Sequence, residues 1–283
     1  MQIQEIDNTS SYYPKEWATL PAAPKTVQYA GDISLLTTRK FTVVGSRKTP
    51  MAALKTGEEI GKVLSSAFTL ITGAADGGDT AAIEGALKAG GKVICVLAGG
   101  FSAIPQANYP LMQRIMERGL MLSPYPYDTP VRSFSYEYRN KLLAALGEGV
   151  LVLGAGEKSG ALITAKYAKQ MQKKIFALPY APGTVCGAGC NALIKNGAYL
   201  TETAEDIFAQ TGVEFSQNQQ QSVPTLRADE EKMLAALKET GEEHISVLSQ
   251  KSGVPVFKAR SVLSALEVKG LAVGVGGNRY SPV

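Results

Sequence analysis

The sequence is poor in the residues that build the commonest catalytic and metal sites. It contains one histidine, His244, and three cysteines among 283 residues. A single histidine excludes any site that needs two imidazoles, and we expect His244 to be a surface turn residue. Cys186 and Cys190 stand four residues apart, but a zinc site would need further ligands. Three cysteines in a long chain do not form a disulfide framework, so we predict no metal and a reducing cytoplasm.

Long apolar runs are also missing. No run reaches the roughly 18–20 residues that span a bilayer. Residues 1–17 have neither the basic start nor the apolar core of a signal peptide. With 45% hydrophobic and 19% charged residues, the composition is typical of a globular protein, and a net charge of +4 permits a nucleic-acid partner without demanding one. We therefore expect a cytoplasmic protein with no membrane partner, long enough for one large and one small domain.

Short apolar segments alternate with helical ones along most of the chain. The apolar segments, each bounded by turn residues, are residues 41–45, 68–73, 92–97, 120–123, 149–153 and 174–178. The helical segments are residues 51–66, 79–89, 107–118, 131–146 and 161–172. This alternation predicts an α/β fold, a Rossmann-like parallel sheet with helices on both faces.

The two ends of the chain differ from this central region, residues 41–211. Residues 1–40 are rich in proline and are expected to pack on the sheet, with residues 26–30 as an edge strand. Residues 212–226 are polar and glutamine-rich, which indicates a linker. Residues 227–283 read as three helices and a hairpin, the plan of a small winged-helix domain, with an unspecific helical cap as the alternative.

The turns after the strands are the places to look for a ligand, because parallel sheets bind ligands outside the carboxyl ends of their strands. Gly45, Ser46, Arg47 and Lys48 follow the first strand. Glycine allows a sharp turn, serine supplies a hydroxyl, and the arginine fork suits a phosphate. The positive end of the following helix is expected to point at the same place. The segment predicts an anion site, although a plain structural turn is an equal alternative.

Other strand ends carry glycine and small polar residues as well. Because four or more such loops converge on one rim, a shared ligand site explains them better than independent turns do. The remaining candidates are Gly73, Gly99, Gly100, Asn108, Arg139, Asn140, Lys141, Ser159, Gly160, Thr164 and Asn191. Arg139 has a second interpretation, in which it attaches its helix to the sheet.

Nothing in these turns predicts catalysis. Asp76, Asp79 and Glu157 have no nucleophile paired with them, and we expect Asp79 to cap a helix. The stretch Gly154-Ala155-Gly156 lacks the full dinucleotide-binding fingerprint. The sequence therefore predicts no enzyme, no catalytic residues and no cofactor.

The motifs taken together resemble one family. VVGSRKTP, LITGAADGGDTAA, a glycine turn before Pro-x-x-Asn, YRNKLL, SGALITAKYA and CGAGCNALIKNGA occur in the order and spacing of the DprA/Smf family of DNA-processing proteins, from about Pro21 to Phe208. The resemblance implies a Rossmann-like domain that binds single-stranded DNA in a basic pocket and forms a homodimer. It also implies recruitment of the RecA recombinase in transformation or recombination, with no established enzymatic activity.

Two departures from the family pattern leave the finer role open. Asp76 stands where a basic residue is usual, and Gln106 lies in the Pro-x-x-Asn stretch, where other members often have tyrosine or lysine. One alternative is a DprA-like regulator or antitoxin component of a phage-defence or mobile-element system. A second is an enzyme that binds or hydrolyses a nucleotide-like small molecule. Acidic and basic residues nearly cancel over 227–283, so we expect that domain to have an accessory or protein-contact role.

Overall fold

A computed structural model describes residues 2–214 and 226–282 of the chain. The chain divides into two compact units, residues 1–215 and 216–283. Most of the predicted linker, residues 215–225, lies outside the described residues.

The first unit is built on one nine-stranded sheet. Its strands are β1 (Gln4–Asp7), β2 (Thr26–Gly31), β3 (Lys40–Val44), β4 (Thr69–Thr72), β5 (Val93–Val96), β6 (Leu120–Ser123), β7 (Gly149–Val152), β8 (Lys174–Ala177) and β9 (Tyr199–Leu200). They are ordered β1-β2-β6-β5-β4-β3-β7-β8-β9. The strands from β6 to β9 in this order are parallel, whereas β1 and β2 run antiparallel to their neighbours.

Helices cover both faces of this sheet. They are α1 (Lys15–Ala18), α2 (Met51–Leu64), α3 (Gly78–Lys88), α4 (Tyr109–Arg118), α5 (Ser133–Leu146), α6 (Gly160–Gln170), α7 (Ala188–Lys195) and α8 (Ala204–Thr211). Three short 3₁₀ turns, Ile33–Thr37, Phe101–Ala103 and Gln106–Asn108, join them. Alternate strand residues enter opposite cores: Leu70 packs with α2, α3, α4 and α8, whereas Ile71 packs with α1, α5, α6 and α7. None of the described helices is long and apolar enough to cross a bilayer.

The strand order reverses at the centre of the sheet. From β3 the chain proceeds through β4, β5 and β6 on one side, then returns to β7 on the other side of β3. The loops after β3 and β7 therefore part in opposite directions and leave a crevice between them. This is the topological switch point where parallel sheets bind ligands.

The six predicted strands and five predicted helices are confirmed to within about two residues. The predicted edge strand needs correction, because β2 lies inside the sheet between β1 and β6. The first forty residues thus contribute strands to the sheet, and Trp17 of α1 is buried, donating to the Leu142 carbonyl at 3.0 Å. The sequence patterns missed the short elements β1, α1, α7, β9 and α8.

The second unit has its own elements and core. Its elements are α9 (Ala228–Thr240), β10 (Glu243–His244), α10 (Ile245–Ser252), α11 (Val256–Val268), β11 (Ala272–Gly276) and β12 (Arg279–Pro282). The strands form an antiparallel sheet in the order β10-β12-β11. Helix, strand, helix, helix and hairpin follow one another as expected for a winged helix. His244 is no free turn residue: it pairs with Arg279 in the sheet, and its ring accepts from the Ser246 amide at the start of α10.

Candidate functional site

A cavity of about 720 Å³ opens at the switch point of the first unit. It lies between the loops that follow β3 and β7 and is closed from above by α5 and the start of α6. Nine predicted site residues line it: Gly45, Ser46, Arg47, Lys48, Arg139, Asn140, Ser159, Gly160 and Thr164. The structure therefore brings together three separate sequence segments at one opening.

The loop after β3 is held by a close approach between two glycines. A side chain at Gly45 would come within 2.6 Å of the Gly78 Cα, so only glycine fits. Asp79 secures the turn from below, because its carboxylate accepts from the Gly45 amide at 2.7 Å and from the Gly73 and Ala75 amides at 3.3 Å. The expected cap is thus corrected: α3 begins at Gly78, and Asp79 binds the amides of two strand ends. Burial raises the pKa of Asp79, and the nearby Arg139 charge opposes that rise.

The mouth of the cavity is cationic. Arg47 and Lys48 after β3, and Lys158 after β7, are exposed at the cavity. Within residues 2–214 and 226–282, none of these three forms an ion pair, whereas Arg39, Lys88 and Arg114 elsewhere in the unit do. Among the described residues that line the cavity, Glu157 is the one exposed carboxylate, whereas the other carboxylate, Asp79, is buried. The unpaired charges favour an anionic ligand.

The helix that points its positive end into the cavity is α6. Ser159 precedes it and accepts from the Ala161 amide, and Gly160 and Ala161 line the cavity. Helix N-termini attract anions through free amides and the helix dipole. The helix after Arg47, α2, was expected to do this, but its first residues line a different cavity.

Arg139 and Asn140 form the roof and connect three elements. The buried Arg139 donates to the Gly73 carbonyl at 2.8 Å and to the Asn140 side chain at 3.0 Å. Asn140 in turn donates to the Gly160 carbonyl at 3.1 Å. These contacts attach α5 to the end of β4 and to the start of α6. In the structure, the Arg139 guanidinium therefore attaches its helix to the sheet, which was the second of its two suggested roles.

Thr164 lies deeper, one turn into α6. Its side chain is fully buried, and its hydroxyl finds no hydrogen-bond partner in the described part of the chain. A helical threonine commonly donates to the carbonyl four residues earlier. Here that carbonyl, of Gly160, already accepts from Asn140. The inner wall beside Thr164 is otherwise apolar, formed by Val44, Leu143 and Cys186.

Six predicted residues lie outside the cavity lining, and most of them have structural roles. Gly73 packs directly against the Arg139 guanidinium, and a side chain at position 73 would overlap that group. Gly99 and Gly100 pack under residues 126–131, and the Gly100 amide donates to the Thr129 carbonyl at 2.8 Å. Asn108 is half-buried at the start of α4 and caps nothing with its side chain.

The other two bond to backbone groups of residues that do not line the cavity. Lys141 donates to the Pro21 carbonyl at 3.0 Å and holds the N-terminal segment. Asn191 makes two bonds with the Tyr180 backbone, accepting at 3.0 Å and donating at 2.8 Å. Their assignment to a DNA site stays a prediction.

Lys158 and Tyr136 line the cavity as well and can contact a ligand, although neither was among the predicted site residues. Lys158 lies in the loop after β7. A positive charge in a glycine-containing loop at a strand end could have identified it from the sequence as a candidate anion-binding residue. Tyr136 lies one helical turn before Arg139, and its half-exposed ring is 5.9 Å from that guanidinium. The one sequence signal that could have identified Tyr136 was its position three residues before Arg139 on a helix at the rim of the sheet.

The site offers cations, amides and an aromatic ring. Burial raises the pKa of Cys95, beneath the site, to about 12, and of Cys190 to about 12, so both thiols stay protonated near neutral pH. Among the described residues, no three His, Cys, Asp or Glu side chains cluster as metal ligands would. This arrangement suits binding of an anion that carries a planar group.

Comparisons with known proteins show the family and the fold of the first unit. The sequence model of the family described as DNA recombination-mediator protein A matches residues 5–212. The DNA processing protein DprA of Streptococcus pneumoniae is 35% identical over 200 residues, covering 70% of this chain and 71% of that protein. The X-ray structure of DprA from Streptococcus pneumoniae superposes with a TM-score of 0.71 at 32% identity, covering 76% of each chain. A structure of DNA processing protein A from Helicobacter pylori, described by its single-stranded DNA binding mode, superposes with a TM-score of 0.68 at 26% identity over 76% of this chain and 98% of that one.

Proposed function

Because this chain belongs to the DNA recombination-mediator protein A family, also called DprA/Smf, we propose that it binds single-stranded DNA in the cavity at the switch point. One observation carries the proposal. Three exposed cations without ion-pair partners in the described residues, Arg47, Lys48 and Lys158, surround a cavity whose inner wall is apolar.

The two halves of the cavity match the two halves of a nucleotide. The cationic mouth and the start of α6 suit a phosphate, and the apolar wall of Val44 and Leu143 suits a base. Tyr136 at the rim offers a ring face for stacking. Duplex DNA keeps its bases paired inside, so it would present only phosphates to this opening. A single strand fits better, and the relative from Helicobacter pylori is described by that binding mode.

A titration of labelled single-stranded and duplex DNA at two salt concentrations tests the proposal. We expect tighter binding of the single strand, little sequence preference, and affinity that falls as salt rises, because bound phosphates release counterions. Equal affinity for the two forms, or affinity that does not respond to salt, would contradict it.

We further propose that the chain acts by binding and not by catalysis. The protonated buried thiols and the absence of a metal-ligand cluster among the described residues support this. Purified protein should hydrolyse no nucleotide and cut no DNA. Turnover that disappears when Asp79 or Glu157 is replaced would count against it.

A homodimer and recruitment of a RecA-type recombinase in the cytoplasm are the finer parts of the proposal. The short edge strand β9 supports the dimer, since Tyr199 and Leu200 are 38% and 50% exposed there. Light scattering should give twice the chain mass, and Leu200→Lys should reduce it to one chain. The family's description as a recombination mediator supports recruitment, which a measured increase in recombinase assembly on coated single strands would test.

A further inference from the structure

A second surface at the carboxyl edge of the sheet lies beside the cavity, over the end of β5. Residues 126–131 cross the Gly99–Gly100 loop there, and backbone contacts fix them firmly. The Gly100 amide donates to the Thr129 carbonyl at 2.8 Å, and the Ser102 hydroxyl donates to the Tyr127 carbonyl at 2.8 Å. A side chain at Gly100 would come within 2.0 Å of the Tyr127 oxygen.

The side chains of this fixed segment face water although they are large and apolar. Tyr127 is 46% exposed and Val131 is 37% exposed. The Val131 side chain lies against Gly99 and the Tyr127 backbone lies over Gly100, so both residues belong to the segment that crosses this one loop. An aromatic ring held on a rigid backbone loses little conformational entropy when a planar partner stacks on it.

This surface continues from the cavity. Arg139, in the cavity roof, contacts the carbonyl ends of β4 and β5, Gly73 and Val96, and Tyr136 lies one helical turn before it. Tyr136 lines the cavity from the first turn of α5, the helix that begins two residues after Val131. Arg132 follows Val131, is exposed, and has no ion pair within the described ranges, so a cation accompanies the rings.

We propose that Tyr127 and Val131 form a second subsite, which stacks a base next to the nucleotide held in the cavity. The inference rests on the proposed function and adds the path of the bound DNA to it. The DNA strand leaves the cavity past Tyr136 and crosses the carboxyl end of β5. Rings alternating with unpaired cations are what single-strand binding surfaces use, because every base has a face to stack and every nucleotide a phosphate.

Oligothymidylates of increasing length test the subsite. The variant is Tyr127→Leu, which keeps apolar volume and removes the ring. Its matched control is Tyr12→Leu, a similarly exposed tyrosine in the N-terminal segment. Thermal melting and emission from the single buried tryptophan, Trp17, establish that each variant is folded.

We expect wild type and Tyr12→Leu to gain affinity as the oligomer grows beyond the nucleotide in the cavity. Tyr127→Leu should lose at least about fivefold of that gain, the low end of what one stacked base contributes. A strand of the same length with abasic neighbours should bind wild type and Tyr127→Leu equally weakly, because only phosphate contacts remain.

Three results would overturn the subsite. If Tyr127→Leu binds long oligomers as wild type does, the surface serves another purpose, such as a protein partner, while the proposed function stands. If it also loses affinity for the abasic strand, the contact is not base stacking. If wild type binds no single-stranded DNA at all, the proposed function fails and the subsite fails with it.

Discussion

Two arginines of the same predicted site differ because of their surroundings. Arg47 is exposed at the cavity mouth without an ion pair in the described chain, so its charge is available to a ligand. Arg139 is 7% exposed, and its guanidinium donates hydrogen bonds to the Gly73 carbonyl and to the Asn140 side chain. The first side chain can bind, and the second holds the roof in position.

Replacing Arg47 by alanine should weaken single-strand binding without affecting the fold. Loss of one charge-assisted phosphate contact corresponds to about 1–3 kcal/mol. The control is Lys62→Ala, which removes an exposed cation from the last turn of α2, at the opposite edge of the sheet. Anisotropy titrations should separate the two variants, and equal affinities for both would contradict the role of Arg47.

Arg139→Ala should instead destabilise the protein. It removes the bonds to the Gly73 and Val96 carbonyls and leaves the buried Asp79 without its neighbouring charge. Leaving buried hydrogen-bonding groups without a partner costs roughly 1–3 kcal/mol. Chemical denaturation measures the loss, and a variant as stable as wild type would show that the roof does not depend on this residue.

Buried thiols and phenols should make the protein less stable in alkali. The pKa of Cys95 is raised from 9.0 to about 12 by burial, so the folded state keeps a proton that the unfolded state releases above about pH 9. Stability from this group is present below pH 9 and is lost as pH rises toward 12, by up to about 1.4 kcal/mol per pH unit. Tyr138, raised to about 12, acts in the same direction, whereas Lys173, lowered to about 8, opposes it.

The contribution of Cys95 can be isolated by its replacement. Cys95→Ala should start less stable, because it leaves a small cavity, and should lose less stability between about pH 9 and 11 than wild type. Denaturation curves at several pH values give both slopes. Parallel slopes would mean that the thiol does not titrate as its burial predicts.

At the scale of elements, the cavity depends on how closely a loop approaches a helix. The loop after β3 contacts the start of α3 through Gly45 and Gly78, with no side chain between them. The start of α6, in contrast, is open: a side chain at Gly160 would meet only the Asn140 amide nitrogen, at 3.9 Å. Close packing therefore requires glycine at position 45, whereas it does not require glycine at position 160.

Gly45→Ala should therefore destabilise the first unit, because the new methyl would lie 2.6 Å from the Gly78 Cα and the helix would have to move. Overpacking of this kind typically costs about 1–3 kcal/mol. Gly160→Ala is the matched control and should fold as well as wild type, since Gly160 opens a helix. Thermal melting compares them, and equal melting temperatures would contradict the close approach.

At the scale of the whole molecule, the chain consists of two units with separate cores. The second unit has its own core around Met233, Leu237 and Leu263. All residues that line the cavity belong to the first unit. Several cations of the second unit are paired with its own carboxylates, Arg279 with Glu242 among them, which leaves less charge for a duplex.

A chain that ends at Gln221 should keep most of the single-strand affinity, because it retains the cavity and both cores of the first unit. The measurement is the same titration, together with a melting curve that establishes the truncated chain is folded. A folded truncated chain without affinity would move the main site into the second unit.

Much of the fold was predictable because it depends on local patterns. Apolar runs predicted β3 to β8, because a strand buried on both faces must be apolar throughout. Helical spacing of apolar residues predicted α2 to α6. The elements β1, α7 and β9 escaped because they are short or exposed. The family match and the superposed relatives confirm the resemblance and the Rossmann-like fold.

The sequence by itself determined the class of fold, the family and the set of strand-end loops that could bind an anion. Only the tertiary structure decided which residues share one opening. Lys141 and Asn191 come from the same kinds of segment as Arg47 and Ser159, yet their side chains bond to backbone groups of Pro21 and Tyr180, outside the cavity. The physical reason is that periodicity reports whether a residue is buried. Which distant group a polar side chain meets depends instead on strand order and helix packing.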